Sequence, residues 1–123
     1  GRRNGVLISS EDGHSVSYGL WQLEDRGQMF ISSGVSVYKG MIIGEHNREN
    51  DLEVNPLKSK QLTNMRTTNK DEAVRLTPPR SMSLEQAISY IQDDERVEVT
   101  PKSIRLRKMY LQSTERKRMA KKV

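Results

Sequence analysis

Short apolar runs interrupted by glycine dominate the first 44 residues, and they limit this part of the chain to a sheet of short strands. Residues 6–8, the turn signal Asp12-Gly13 and the alternating apolar residues of 16–20 predict a β-hairpin with one buried face. Further strands are predicted at 29–31, 35–38 and 41–43. The front half of the chain is therefore expected to be β-rich.

A single well-defined helix is predicted in the second half. A strand over 72–77 is expected to end at Pro78-Pro79, and Ser83 and Gln86 then have the spacing of a capping box. In that motif the serine hydroxyl accepts a hydrogen bond from a free amide and the glutamine side chain reaches back. The apolar residues that follow predict one stripe to lie on the sheet: Leu84, Ala87, Ile88 and Ile91.

Two more strands are predicted near the end of the chain. Residues 97–100 and 104–107 each alternate between apolar and polar side chains, and a turn between them would place Glu98 near Arg105. At 123 residues and 33% apolar content, the chain is the size of one domain with a thin core, so a deep catalytic pocket is not expected. The elements together predict a β-dominated α+β domain, with a twisted or partly closed antiparallel or mixed sheet, one packed helix, a long protruding loop and a short basic C-terminal helix.

The long loop is predicted over 46–71, where apolar periodicity stops and polar residues predominate. A connection of this length is normally disordered or functional, although its apolar members could still form short strands at its stem: Leu52, Val54, Leu57, Leu62 and Met65. Cations alternate in it with amide and hydroxyl side chains that suit phosphate and ribose contacts. A plain flexible surface loop is the alternative. The cations and their polar neighbours are Lys58, Lys60, Gln61, Asn64, Arg66, Thr67, Thr68 and Lys70.

Positive charge is concentrated at the C-terminal end. Residues 1–100 hold 12 Lys+Arg and 15 Asp+Glu, a balance of −3, whereas residues 101–123 hold 9 and 1, a balance of +8. Such a block binds polyanions because it releases their condensed counterions, and RNA binding is favoured over a simple solubility tail. Within the basic tail, 109–123, Ser113 or Thr114 is expected to cap a short helix through Lys121.

The composition also excludes several classes of site and of protein. The chain has no cysteine, which excludes disulfides, thiolate nucleophiles and cysteine-ligated zinc. No apolar run approaches the roughly 20 residues that span a bilayer, and no signal peptide is recognisable, so a soluble cytoplasmic domain without a membrane partner is expected. Because the chain does not begin with methionine, we expect it to be a fragment of a larger protein.

Residues that could carry chemistry are few. Glu45-His46-Asn47 brings an acid, a base and an amide together, but adjacency supplies neither a nucleophile nor an orienting group, so no catalytic residue is predicted. Asp93-Asp94-Glu95 lacks the spaced oxygen ligands of a calcium loop, and a solvated acidic turn is favoured over a cation site. Five aromatic residues lie in apolar segments and are interpreted as core rather than as base-stacking platforms: Tyr18, Trp21, Phe30, Tyr38 and Tyr90. Tyr110 is compatible with either role.

A more specific resemblance runs through nearly the whole chain. The segments that carry it are Asn4-Gly5-Val6-Leu7-Ile8-Ser9, Asp25-Arg26-Gly27, Val37-Tyr38, Gly44-Glu45-His46, Asn50-Asp51-Leu52, Lys60-Gln61-Leu62-Thr63-Asn64, Pro78-Pro79, Met82-Ser83-Leu84-Glu85-Gln86-Ala87, Val97-Glu98-Val99-Thr100-Pro101 and Ser103-Ile104-Arg105-Leu106-Arg107-Lys108. With these segments in this order, the chain resembles the C-terminal domain of the bacterial translational GTPase family BipA/TypA. Arg96, where an apolar residue is expected, and Lys70, where glycine is common, depart from the pattern.

The resemblance implies a parent protein that binds the 70S ribosome, acts in stress responses and assists large-subunit assembly. GTP and magnesium would belong to a GTPase domain that this chain lacks, so no cofactor and no enzymatic activity are expected here. The domain would face 23S rRNA and the acceptor end of A-site tRNA, as a monomer, and a module for an acidic protein partner is the alternative. The residues expected to contact RNA are Lys58, Lys60, Gln61, Asn64, Arg66 and Lys70 in the loop, and Arg107, Lys108, Arg116, Lys117, Arg118, Lys121 and Lys122 in or beside the tail.

Overall fold

A computed structural model describes residues 4–59 and 75–121. In the first range lie β1 (Val6–Ser9), β2 (Gly13–His14), α1 (Ser17–Leu23), β3 (Gly27–Met29), β4 (Ser36–Val37), β5 (Met41–His46) and β6 (Leu52–Val54). In the second range lie α2 (Leu84–Tyr90), β7 (Glu95–Val99), β8 (Ile104–Lys108) and α3 (Ser113–Ala120).

The main sheet has six strands and mixed pairing. Five of them follow the order β6-β1-β5-β8-β7, and β3 pairs with β5 as well. All of its pairs are antiparallel except β1 with β6, which is parallel. The short strands β2 and β4 form a separate antiparallel pair. The predicted class, a β-dominated α+β domain with a mixed sheet and a C-terminal helix, is confirmed.

Each face of the sheet has its own apolar cluster. Successive residues of a strand point to opposite faces, and in β5 Ile43 joins one cluster while Ile42 joins the other. Leu20 of α1 packs into the first cluster, and Ala87 and Tyr90 of α2 pack into the second. Burying one Leu or Ile side chain contributes about 1.5–3 kcal/mol, so these two thin layers hold the helices on opposite faces.

The helix α1 contradicts the strand that was predicted over 16–20. Leu20 is buried by the helix. The strand β2 pairs with β4, so among the described residues no strand is left to pair with 16–20. Gly19 lies against the backbone of another segment, since a Cβ atom there would come within 2.5 Å of the Pro56 carbonyl oxygen. A five-residue alternation was too short to exclude a helix whose position is set by that distant contact.

The helix α2 confirms the predicted capping box. The Ser83 hydroxyl accepts a hydrogen bond from the Gln86 amide at 3.1 Å, and the Gln86 side chain accepts one from the Ser83 amide at 2.9 Å. The predicted apolar stripe is wrong in part, because Ala87 is buried but Ile88 is 57% exposed, as Leu84 is in large part. With Ile91 already extended, the helix is two turns long and packs through Ala87 and Tyr90 instead.

The C-terminal elements follow the prediction more closely. The strands β7 and β8 pair in the register that places Glu98 opposite Arg105. The helix α3 is present, but its N-cap is Gln112, and neither Ser113 nor Thr114 supplies the predicted cap. Helix α3 instead depends on tertiary contacts, as a short polar helix must.

The predicted loop boundaries need correction. His46 is the last residue of β5, and β6 lies within the range that was predicted as loop. In the predicted strand over 72–77, residues 75–77 form no strand, and 72–74 lie outside the described residues. The rest of the predicted loop, from residue 60 onward, also lies outside them. Among the helices that the structure describes, none is long and apolar enough to cross a membrane.

Candidate functional site

Arg116 fixes helix α3 to the body of the domain. Its guanidinium donates hydrogen bonds to the carbonyl oxygens of Tyr110 and Leu111, at 2.9 and 2.8 Å. It also pairs with the carboxylate of Glu53 on β6. The side chain is only 17% exposed, so Arg116, which was predicted to contact RNA, positions the helix.

The opposite side of α3 presents the free cations. Lys117, Arg118 and Lys121 are exposed, and at 100° per residue they lie within one arc of about 100° on the helix surface. Within 4–59 and 75–121, none of the three forms an ion pair. Cations in the last turn also interact favourably with the helix dipole. We call these three residues the cationic stripe; Lys122, also predicted as a contact, lies outside the described residues.

Lys108, another predicted contact, is buried in a cluster of carboxylates. Its side chain is 3% exposed, and its ammonium nitrogen lies 2.6 Å from Asp51 Oδ2, 2.8 Å from Glu95 Oε2 and 2.9 Å from Asp94 Oδ2. Burial by itself lowers the pKa of Lys108, but the hydrogen bonds to the three carboxylates outweigh it and raise that pKa above its ordinary value. Lys108 is therefore charged and paired within the domain, so its ammonium group is not available for the RNA contact predicted for it.

The same cluster corrects the interpretation of the acidic turn. Asp51, Asp94 and Glu95 bring carboxylate oxygens within 4.8 Å of one another, a spacing that would suit a metal ion. The Lys108 ammonium is within hydrogen-bond distance of all three and supplies the positive charge. Glu95 is fully buried rather than solvated, whereas Asp93 and Asp94 are exposed as predicted. The result is a partly buried ion cluster that ties β7 and β8 to the segment after β5.

Arg107 is also occupied within the domain. Its Nε lies 3.1 Å from Glu98 Oε2, and its NH1 donates to the Lys108 carbonyl oxygen at 3.0 Å. The Tyr38 hydroxyl donates to the other oxygen of Glu98. Burial, followed by the hydrogen bond to this carboxylate, raises the pKa of Tyr38. Arg107 and Tyr38 therefore contact the same carboxylate, that of Glu98, and Arg107 is paired on the surface of β7 and β8.

Of the predicted loop contacts, the structure describes Lys58 alone. Lys58 is exposed and lies two residues after Pro56, whose carbonyl oxygen packs against Gly19 of α1. The other predicted contacts in the loop, Lys60, Gln61, Asn64, Arg66 and Lys70, lie outside the described residues. Whether these residues lie near the cationic stripe therefore stays a prediction.

Glu45 and His46 do not come together as an acid–base pair. His46 is buried, with its Nδ1 at 2.6 Å from the Asn50 carbonyl oxygen, an arrangement that makes Nδ1 the donor. The Glu45 carboxylate, on the opposite face of β5, accepts hydrogen bonds from Tyr90 at 2.9 Å and Arg80 at 3.2 Å. Both residues hold segments of the fold together, and that neither is catalytic stays a prediction.

The aromatic residues agree with the core interpretation except for Trp21 and Tyr18, which join neither apolar cluster. Tyr90 is buried and its ring packs edge-on against Phe30, with centroids 5.6 Å apart. Trp21 on α1 is 47% exposed and lies beside Tyr18, with centroids 5.9 Å apart. The core prediction is wrong for these two because they lie on α1, which directs Leu20 inward instead. Tyr110 is half-buried, which leaves both of its predicted roles open.

Sequence reasoning missed the acidic partners that occupy Lys108 and Arg116. The register that pairs Glu98 with Arg105 also pairs Glu95 with Lys108 three residues further along, so that contact could have been found from the sequence. Glu53 lies 63 positions before Arg116, and no local pattern connects the two. Distinguishing free from occupied cations therefore required the fold.

Comparison with known proteins gives one family. A family model described as the TypA/BipA C-terminal domain matches residues 4–113. The chain is 57% identical over 115 residues to a protein of Buchnera aphidicola, 53% over 122 to one of Bacillus subtilis and 56% over 117 to one of Salmonella typhimurium. Each of these relatives is named large ribosomal subunit assembly factor BipA. The matches cover 94–99% of this chain but only 19–20% of the relatives, so the chain spans about a fifth of their length.

Proposed function

Because this chain belongs to the TypA/BipA C-terminal domain family, we propose that it binds the large ribosomal subunit as part of an assembly factor. The relatives' shared name supplies the partner, and the structure supplies a surface with suitable charge. In this proposal the domain contacts ribosomal RNA mainly through electrostatic attraction. The proposed localisation is the cytoplasm, where such a partner would be found.

The observation that carries the proposal is the cationic stripe. Lys117, Arg118 and Lys121 point away from the body of the domain, and Arg116 and Glu53 hold the helix in place beneath them. A fixed row of unpaired cations loses little entropy when it meets phosphates, and it releases the counterions condensed on RNA. Phosphate contacts of this kind position a protein on RNA without reading its sequence.

The long loop supplies the second part of the proposed contact. Lys58 is the exposed cation at its start, and the polar and basic residues that follow would reach 23S rRNA and the acceptor end of A-site tRNA. The proposed contacts beyond Lys58 are Lys60, Gln61, Asn64, Arg66, Lys70 and, at the chain end, Lys122. Arg107, Arg116 and Lys108 are left out because their charged groups are paired inside the domain.

The proposal assigns no catalysis and no cofactor to this chain. GTP hydrolysis, with GTP and magnesium, would be carried out by another domain of the full-length protein. The role in stress-responsive translation would likewise belong to that whole protein. This domain would act as a monomer that places the loop and α3 against the ribosome.

The test is salt-dependent binding of the full-length protein to large ribosomal subunits. The double variant Lys117→Ala with Lys121→Ala should bind more weakly, and the slope of log K against log salt should decrease by about two, one for each phosphate contact. The double variant Arg26→Ala with Arg48→Ala is a matched control, since both arginines are exposed and the net charge falls equally.

The outcomes distinguish RNA from the alternative partner. Equal slopes for the two double variants would contradict the proposal, because charge would then act without regard to position. Competition with free ribosomal RNA should displace the full-length protein. If free RNA fails to compete and an acidic ribosomal protein does, the domain is a protein-interaction module instead.

A further inference from the structure

An open apolar groove lies at the tip of the hairpin formed by β7 and β8. It has a volume of about 530 Å³ and runs between Val99 and Ile104 on the hairpin and Met82, just before α2. Val99 is 63% exposed and Ile104 is 36% exposed. Because Val99 and Ile104 pair across the two strands, their exposed side chains form one apolar patch at the hairpin tip.

The groove continues a core face that α2 leaves uncovered. Val99 pairs with Ile104, and the next pair on the same face of the hairpin, Val97 with Leu106, is packed in the apolar cluster beneath α2. Side chains two residues apart on a strand share a face. Val99 and Ile104 therefore lie on the same face as the packed pair, but beyond the part of that face that α2 covers. The two turns of α2 are too short to cover both pairs.

The charge of the groove favours an acidic occupant. Among the described residues that line it, three are basic and none is acidic. Lys102 lies at the hairpin tip and forms no ion pair within the described ranges, and Arg80 lies at the opposite side, 42% exposed. The floor is mostly aliphatic, and Arg80 lies over the ring of Phe30, with its Cζ atom 5.9 Å from the centroid. A nucleobase would therefore find little free aromatic surface for stacking, whereas apolar and acidic side chains of a peptide would be complementary.

The start of the described chain lies close to the same groove. The Asn4 side chain donates to one oxygen of Glu45 at 3.3 Å, and Arg80 donates to the other oxygen at 3.2 Å. One carboxylate thus connects the N-terminal segment to the edge of the groove. The relatives are about five times longer, and this chain matches their C-terminal domain. In a protein of that length, the polypeptide that precedes the domain would connect to it beside this groove. A tethered segment docks at high effective concentration.

We infer that the groove between Val99, Ile104 and Met82 is the docking site for an acidic and apolar segment of the polypeptide that precedes this domain in the full-length protein. Apolar side chains of that segment cover Val99 and Ile104, and a carboxylate pairs with Lys102. This contact sets the orientation of the domain relative to its neighbours. It goes beyond the proposed ribosome contact and does not use the cationic stripe.

The experiment measures thiol labelling at introduced cysteines. The chain has no cysteine, so Val99→Cys reports coverage of the groove, and Ile88→Cys, also exposed but outside the groove, is the matched control. Each is placed in this chain and in the full-length protein, and labelling is quantified on the peptide that contains it. We expect labelling at position 99 to be at least tenfold slower in the full-length protein, with no difference at position 88. Adding Lys102→Glu to the full-length Val99→Cys variant should restore fast labelling.

Each alternative has its own result. Equal rates at position 99 in the two proteins would overturn the inference, as would slow labelling in this chain alone. Protection that depends on protein concentration would identify a second copy as the occupant. Protection that develops only after addition of ribosomes would identify an external partner. Loss of ribosome binding by the cationic-stripe variants leaves all these rates unchanged, so the inference and the proposed function fail separately.

Discussion

Replacing Lys108 with methionine should destabilise the domain more than most single substitutions. The change removes the Lys108 ammonium group, which pairs with Asp51, Asp94 and Glu95. Asp51 and Asp94 are partly exposed, so water and salt replace much of what they lose. Glu95 has no exposed side-chain surface, so its buried carboxylate would lose the ammonium group that neutralises it, while the hydrogen bond from the Gln92 amide to its Oε1 remains. Removing one partner of a buried pair costs about 3–5 kcal/mol, a large share of the roughly 5–15 kcal/mol by which domains are stable.

Urea unfolding measures this loss. Far-UV circular dichroism is the better signal, because the single tryptophan, Trp21, is already half exposed in the folded state. The double variant Lys108→Met with Glu95→Leu should recover most of the stability, since replacing both members of a buried pair with apolar residues is often neutral. Lys102→Met, an exposed lysine on the same hairpin, is the control and should change stability by less than about 0.5 kcal/mol.

The reasoning is refuted if Lys108→Met costs less than about 1 kcal/mol. It is equally refuted if the added Glu95→Leu change gives no recovery.

Three further predictions concern stability and α3. Ser83→Ala removes the serine half of the capping box and should cost about 1 kcal/mol, a fall in Tm of about 3–6 °C by calorimetry; an unchanged Tm would contradict it. Because the pKa of Lys108 is raised, its contribution is fully present below about pH 10.4 and is lost as the pH rises through the folded-state pKa. Alkaline titration should therefore destabilise the natural domain more than the double variant that lacks the Lys108–Glu95 pair. Glu53→Gln removes the ionic partner of Arg116 and should speed amide exchange in α3 while the sheet stays protected; equal exchange would show that the pair does not hold the helix.

The elements predicted correctly are those that local chemistry determines. The capping box of Ser83 and Gln86 requires only side chains three residues apart, and the helix begins where it predicts. The pairing of Glu98 with Arg105 follows from a short turn and strand alternation. The fold class could also be predicted, because short apolar runs separated by glycine leave few alternatives to a sheet.

The predictions that were wrong concern segments whose structure depends on contacts with residues far away in the sequence. Residues 16–20 alternate as a strand does, yet residues 17–20 belong to α1, whose Gly19 packs on Pro56, 37 positions away. Ile88 has helical spacing but is exposed, because the sheet positions α2 on Ala87 and Tyr90. For the candidate site, the sequence indicated a basic C-terminal helix. It could not show that Arg116 pairs with Glu53 while the residues of the cationic stripe are exposed.

The most direct test of the account is where the outward face of α3 lies on the ribosome. A cysteine at position 117 of the full-length protein, carrying a photoreactive group, would be cross-linked after binding to large ribosomal subunits. We predict cross-links from position 117 to ribosomal RNA and none from the same probe at position 26. Cross-links from position 117 to ribosomal protein alone, or RNA cross-links of equal yield from both positions, would contradict the claim that the cationic stripe faces RNA.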